Sequence, residues 1–159
     1  MERIMLKDAE ALLDAVSELE RLIGRLYECL AGVFPEDSIW AGLAGDEAHH
    51  AMMALEMKSL LGGRDWILSD PRLNLSVVNS MQKYVVQQIE RTKNNELPRR
   101  NAFFIARDLE RTLVEKAFHN AFDFGDSRFN EAASGIDEQT RRHLDRLEAV
   151  IRDEFPGSG

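Results

Sequence analysis

The chain has 159 residues, 44% hydrophobic and 30% charged, the size and balance of one globular domain, expected to run over 1–159. Its 20 Lys and Arg against 28 Asp and Glu leave a net charge of −8. That balance argues against a nucleic-acid partner, which is held by neutralising phosphates, and against a polybasic membrane-surface partner. A single cysteine, Cys29, excludes an internal disulfide framework, a zinc ribbon, a Cys-ligated iron–sulfur cluster and a rubredoxin-type centre. No run approaches the ~20 apolar residues of a membrane span, and residues 1–20 lack a signal-peptide core, so a cytoplasmic location is expected.

Pro35, Pro71, Pro98 and Pro156 punctuate the chain, because proline is costly inside a helix and tolerated at its start or beyond its end. Between them the apolar residues recur at spacings of three and four, and no alternating strand pattern or Asn-Gly hairpin signal stands out. The first segment runs from about Lys7 to Phe34, with Leu12, Leu13, Val16, Leu19, Ile23, Leu26 and Leu30 on one face. The second runs from about Asp37 to Leu61, with Asp37 or Ser38 as N-cap and Gly62-Gly63 as its stop. Asp70-Pro71 reads as N-cap and first residue of a third segment that fades at Asn94-Asn95. The fourth runs from near Pro98 to near Phe124. The fifth runs from about Arg128 to Glu154, where Gly135 either kinks the helix or divides it.

Short turns join the first two segments and the last two, which predicts two antiparallel hairpins, over about 7–61 and 98–154. Residues 63–97 between them are too many for a turn. They suit a crossover running back along a four-helix bundle, with its own helix at about 71–95. The expected fold is all-α.

Within the second segment stands Asp46-Glu47-Ala48-His49-His50. Glu47 and His50, at i and i+3, leave one helix face together, and a carboxylate and an imidazole so placed can share a metal ion. His49 points ~100° away and is read as a non-ligand. On the first segment Glu20 and Tyr27 share a stripe with Gly24 and Ala31, which leave room around a small buried site. A carboxylate among apolar neighbours is costly unless paired or metal-bound. Glu20 stands 16 residues before the turn near position 36, and Glu47 and His50 stand 11 and 14 after it, level to within about two helical turns. The second hairpin repeats the scheme, with Glu110 16 residues before a turn near Asp126 and His143 17 after it.

The pattern Glu20…Tyr27…Glu47-x-x-His50, then Glu110…His143, resembles the ferritin-like superfamily, nearest to its rubrerythrin-like branch, from about Asp8 to Glu154. The resemblance implies a ferritin-like antiparallel four-helix bundle and a metal set of Glu20, Glu47, His50, Glu110 and His143. It implies iron as the cofactor, with manganese or zinc as other divalent choices, and oxidoreductase chemistry on ferrous iron, oxygen or peroxide. Glu20 and Glu110 are the candidate bridging carboxylates, Tyr27 a hydrogen-bonding or redox-active neighbour, and an unidentified electron donor the implied partner; a homodimer is expected from the size of the bundle alone. The departure is at the second Glu-x-x-His, where Thr140 stands three residues before His143. That shortage predicts one firmly held metal at Glu47 and His50, and a second at His143 held weakly or absent. Asp137, one turn from Thr140, is a possible substitute ligand; Glu138 faces away and Glu115 is read as solvated. Position 117, an alanine, is the helical counterpart of Tyr27, and His119 is read as a surface or core-edge histidine. Met52, Met53, Met57 and Met81 are expected as core filler, Trp40 and Trp66 as caps on the core. Arg99-Arg100 and Arg141-Arg142 are expected as salt-bridging surface charges. A rival reading is a non-enzymatic helical interaction protein that kept the scaffold and lost the metal.

Overall fold

A computed structural model describes residues 1–116, 121–123 and 125–157. Five helices carry most of those residues: α1 Leu6–Val33, α2 Ile39–Ser59, α3 Leu75–Lys93, α4 Arg99–Glu115 and α5 Ser127–Glu154. The seven apolar residues that mark the first segment are all buried in α1, with Glu20 and Tyr27 among them. α1 and α2 run antiparallel, since Asp14 meets Lys58, Ser17 meets Ala51 and Tyr27 meets Trp40. α4 and α5 do the same, with Arg99 on Glu154 and Arg111 on Glu148. α3 packs on α1, where the Gln82 side chain donates to the Ala15 carbonyl at 2.8 Å.

Helix ends follow local chemistry. Asn74 caps α3 by accepting from the Val77 N–H at 3.0 Å, and Asp126 caps α5 by accepting from Arg128 and Phe129 N–H. The third helix therefore begins four residues beyond the expected Asp70-Pro71, because the Asp70 carboxylate is taken by Arg72 in a turn. Gly135 lies within an unbroken α5. The fourth helix stops at Glu115 rather than near Phe124, which with residues 117–120 lies outside the described residues. The readings of position 117 and of His119 fall in that same stretch.

Three short strands correct the expectation of a chain without them: β1 Glu2–Met5, β2 Trp66–Ser69 and β3 Phe122–Asp123, antiparallel in the order β1-β2-β3. Four-residue and two-residue strands are too short to show alternation in a sequence. The sheet ties the chain start to both long connections at one end of the helices, and Gly63 at φ 89° and Gly125 at φ 75° make the reversals beside it. Trp66 sits in β2, 42% exposed under the Arg3 guanidinium, and is no core cap. Trp40 is fully buried at the other end, between Tyr27 and Phe103. Met57 is core and Met53 and Met81 partly so, but Met52 is 61% exposed. Arg99 pairs with Asp37 and Glu154, and Arg141 with Asp137, as surface ion pairs. Among the described residues no helix is long and apolar enough to cross a membrane.

Candidate metal centre

Glu20 from α1, Glu47 and His50 from α2, Glu110 from α4 and His143 from α5 are each at most 1% exposed and meet inside the helices. All five expected residues are thus brought together. Their side-chain atoms form two overlapping groups, Glu20–Glu47–His50 and Glu47–Glu110–His143, with ligand atoms within 4.8 Å of one another in each. Gly24 makes the approach of α1 and α2 possible here, since a Cβ at that position would stand 3.3 Å from Glu47 Cβ.

Glu47 is the shared member. Its Oε2 lies 3.4 Å from His50 Nδ1 and its Oε1 3.1 Å from His143 Nδ1. Glu20 Oε2 is 3.9 Å from His50 Nδ1, and Glu110 Oε2 is 3.7 Å from His143 Nδ1. Glu47 thus stands between both imidazoles, while Glu20 and Glu110 each lie near one of them. The reason is the i, i+3 pair on α2, which sets Glu47 between both imidazoles. Each group counts two carboxylates and one imidazole, so the side holding His143 is not the poorer by count.

The position of the break in the pattern faces inward: Thr140 is 1% exposed, and its hydroxyl donates to the Ile136 carbonyl at 2.9 Å. Asp137 is held by Arg141 at 3.0 Å and belongs to neither group, and Glu115 and Glu138 are exposed. His49 is exposed as expected.

Two residues not singled out in the sequence complete the surroundings. His143 Nε2–H donates to Asp46 Oδ2 at 2.9 Å, and His50 Nε2–H donates to Gln139 Oε1 at 2.5 Å. Asp46 precedes Glu47 and Gln139 precedes Thr140, so each motif's preceding residue reaches the histidine of the other motif. Such outer bonds fix the ring tautomer and leave Nδ1 as the inward donor atom. The signal was available as the match between Asp-Glu-x-x-His and Gln-Thr-x-x-His.

Both Glu47 oxygens, Glu110 Oε2 and His143 Nδ1 are buried with no hydrogen bond made to them. The 3.1 Å approach of His143 to Glu47 is that of an ion pair lacking hydrogen-bond geometry. Tyr27 O–H donates to the other Glu110 oxygen at 2.7 Å. Protonation follows the crowding. Burial pushes Glu20 well above the ordinary carboxyl range, and the charges of Glu47 and Glu110 push the same way. Burial and the Glu47 charge raise Glu110 to about 7. Burial acts to raise Glu47 too, but its contacts with Glu20, His143 and His50 outweigh this and hold it below the usual range. Burial opposes charge on the histidines; Glu110 and Glu47 nevertheless carry His143 to about 10, and Glu47 raises His50. Tyr27 is pushed well above 10, by burial first and then by Glu110.

A buried oxygen–nitrogen donor set of this kind, with acceptor atoms left over, fits a divalent cation. The class that fold and site define is a helical protein with an interior carboxylate–histidine cluster able to hold metal. Comparison with protein-family models, curated proteins and solved structures finds no match for the chain.

Proposed function

We propose that the protein is a ferritin-like, rubrerythrin-related four-helix bundle with α3 as its crossover, and that it holds up to two iron ions between Glu20, Glu47, His50, Glu110 and His143. The observation that carries the reading is Glu47, a fully buried carboxylate whose two oxygens each face a different imidazole and make no hydrogen bond. Leaving such a group inside a protein costs several kcal/mol unless a cation compensates it. Two carboxylates and one imidazole per ion leave open coordination positions, as redox-active iron sites do and closed structural sites do not. Iron there would supply one-electron chemistry toward oxygen or peroxide.

The chain's own residues have definable parts in that function. Glu20 and Glu110 hold the two sides, and the imidazoles present Nδ1. Asp46 and Gln139 fix the rings from outside. The apolar walls from α1, with Ile23 and Leu19 fully buried, keep bulk water out. Tyr27 steadies Glu110 and stands where a phenol proton can be given to it.

The test is purification without chelators, elemental analysis, and anaerobic titration with ferrous iron followed by exposure to oxygen or peroxide. Stoichiometric iron, lost in Glu47→Ala and oxidised on exposure, supports the reading. Metal-free protein that also takes up no added iron, manganese or zinc refutes it and leaves the helical interaction protein as the reading.

A further inference from the structure

Charge is spread unevenly over the clefts of the molecule. Between α4 and the end of α5 lies an open cleft of about 350 Å³, within the size range of small-molecule sites. Arg107 and Arg111 line it from α4, and Glu148, Ile151, Arg152 and Phe155 line it from the α5 side. Three arginines against one glutamate give it a formal charge of +2, in a chain whose net charge is −8. Four further clefts, beside Trp66, Phe104, Tyr84 and Leu73, carry formal charges that are zero or negative. None of the residues lining the α4–α5 cleft belongs to the metal cluster.

The three guanidiniums are incompletely matched within the chain. Arg107 and Arg111 stand at i and i+4, so two like charges share one face of α4, a spacing that destabilises a helix unless anions offset it. Arg107 is held in place: its side chain is 14% exposed, and its guanidinium lies 4.6 Å over the Phe104 ring. Its Nε–H and Nη2–H donate to Asp108 Oδ1. Arg111 donates to Glu148 through Nη2 alone, at 3.0 Å. Arg152, exposed in the last turn of α5, makes no ion pair with any described residue.

We propose that this cleft binds a small organic molecule carrying a phosphate monoester. Charge selects the head group. A phosphate monoester carries close to −2 above pH ~7, which balances the lining, whereas a single carboxylate balances half of it. Guanidinium forks also pair with phosphate oxygens two at a time, and here they approach from two helices. The wall selects the rest of the ligand. Ile151 and the half-buried Phe155, one helical turn apart, put apolar surface beside the charges. A bare phosphate leaves that surface wet, and an ester with an apolar body covers it.

The experiment is calorimetric titration of the full chain, as purified and again after removal of metal by chelator, with phenyl phosphate, inorganic phosphate and benzoate at pH ~7.5. Phenyl phosphate is expected to bind with a Kd below ~1 mM, and the other two at least ~5-fold more weakly. Arg111→Gln and Arg152→Gln, both at exposed positions, should keep the far-ultraviolet circular dichroism spectrum and each weaken phenyl phosphate at least ~10-fold. Glu148→Gln removes the carboxylate of the lining and should strengthen binding at least ~3-fold. Removal of metal should leave the affinity unchanged. No binding up to ~10 mM phenyl phosphate, or binding indifferent to both arginine variants, overturns the proposal. So does binding that disappears with the metal, since the phosphate is then held by the ion. Benzoate as tight as phenyl phosphate overturns the phosphate head group, and a Glu148→Gln variant that binds no better overturns the charge argument.

Discussion

Replacing Thr140 by glutamate probes the position where α5 lacks the carboxylate that α2 carries as Glu47. Thr140 is buried one turn before His143 and spends its hydroxyl on the Ile136 carbonyl. It therefore contributes no charge to a cluster whose two metal groups share three carboxylates. Two divalent ions bring four positive charges to those three. Once the protons held by the cluster are displaced, the first ion meets three carboxylate charges and the second a net −1, so the second is held more weakly. Thr140→Glu balances two ions fully and supplies a third carboxylate to the group that holds His143. The variant should bind close to two ferrous ions per chain under conditions where the wild type holds about one. Without metal the same change adds a carboxyl to a place with no cation, at a cost of about 3 kcal/mol. For a chain of this length that lowers the melting temperature by roughly 6–12 °C. Anaerobic titration with elemental analysis reads the first effect, and thermal melts of the metal-free proteins read the second. A wild type already holding two ions with equal affinity refutes the charge argument. A variant that gains no metal and loses no metal-free stability refutes the placement of residue 140.

Because Glu47 belongs to both groups and Glu110 to one, Glu47→Ala should abolish binding of both ions, while Glu110→Ala should spare one; elemental analysis per chain separates the two. Tyr27→Phe removes the 2.7 Å donor to Glu110 and should cost about 1–3 kcal/mol in a denaturant melt, with the metal count unchanged. The pH response has a definite sign. Glu110, raised to about 7, and His143, raised to about 10, hold protons in the metal-free fold, and each raised group contributes stability that is present at low pH and lost as pH rises through its folded value. Bound metal must displace those protons. The gap in melting temperature between metal-loaded and metal-free protein should therefore widen from pH 6 to pH 8, and a constant gap would show that neither group is a ligand.

How far the sequence could be read differs by element. α1 was legible because its buried face repeats every three to four residues for 28 residues, and a period that long has few alternatives. The five inward Glu and His residues were legible because costly side chains, carboxylates and imidazoles, sit at depths that two hairpin turns make level. The three strands were not, since their pairing is decided by residues far apart: Glu2 finds Ser69, and Ser69 finds Phe122. The same long-range pairing continues beyond α4, where the Asp70 N–H donates to the Ala121 carbonyl at 2.7 Å. Met52 was misread as core filler because α2 is apolar on two faces, and composition alone does not say which face is covered. The place of Glu47 between both imidazoles was not legible, because it depends on where the second helix pair sits and not on spacing within one.

Position by position, Asp46-Glu47-x-x-His50 on α2 corresponds to Gln139-Thr140-x-x-His143 on α5. Each preceding residue bonds the opposite histidine, so the geometry is close to two-fold while the chemistry is not. α2 carries acids at both of its first two motif positions and α5 carries neutral residues of similar hydrogen-bonding capacity. The outer bonds keep both Nδ1 atoms aimed inward, where the carboxylates of Glu20, Glu47 and Glu110 face them and, without metal, favour protonated rings. The charge missing from α5 is the difference that the Thr140→Glu titration reads, while the outer bonds that orient the two rings are of the same kind on both sides.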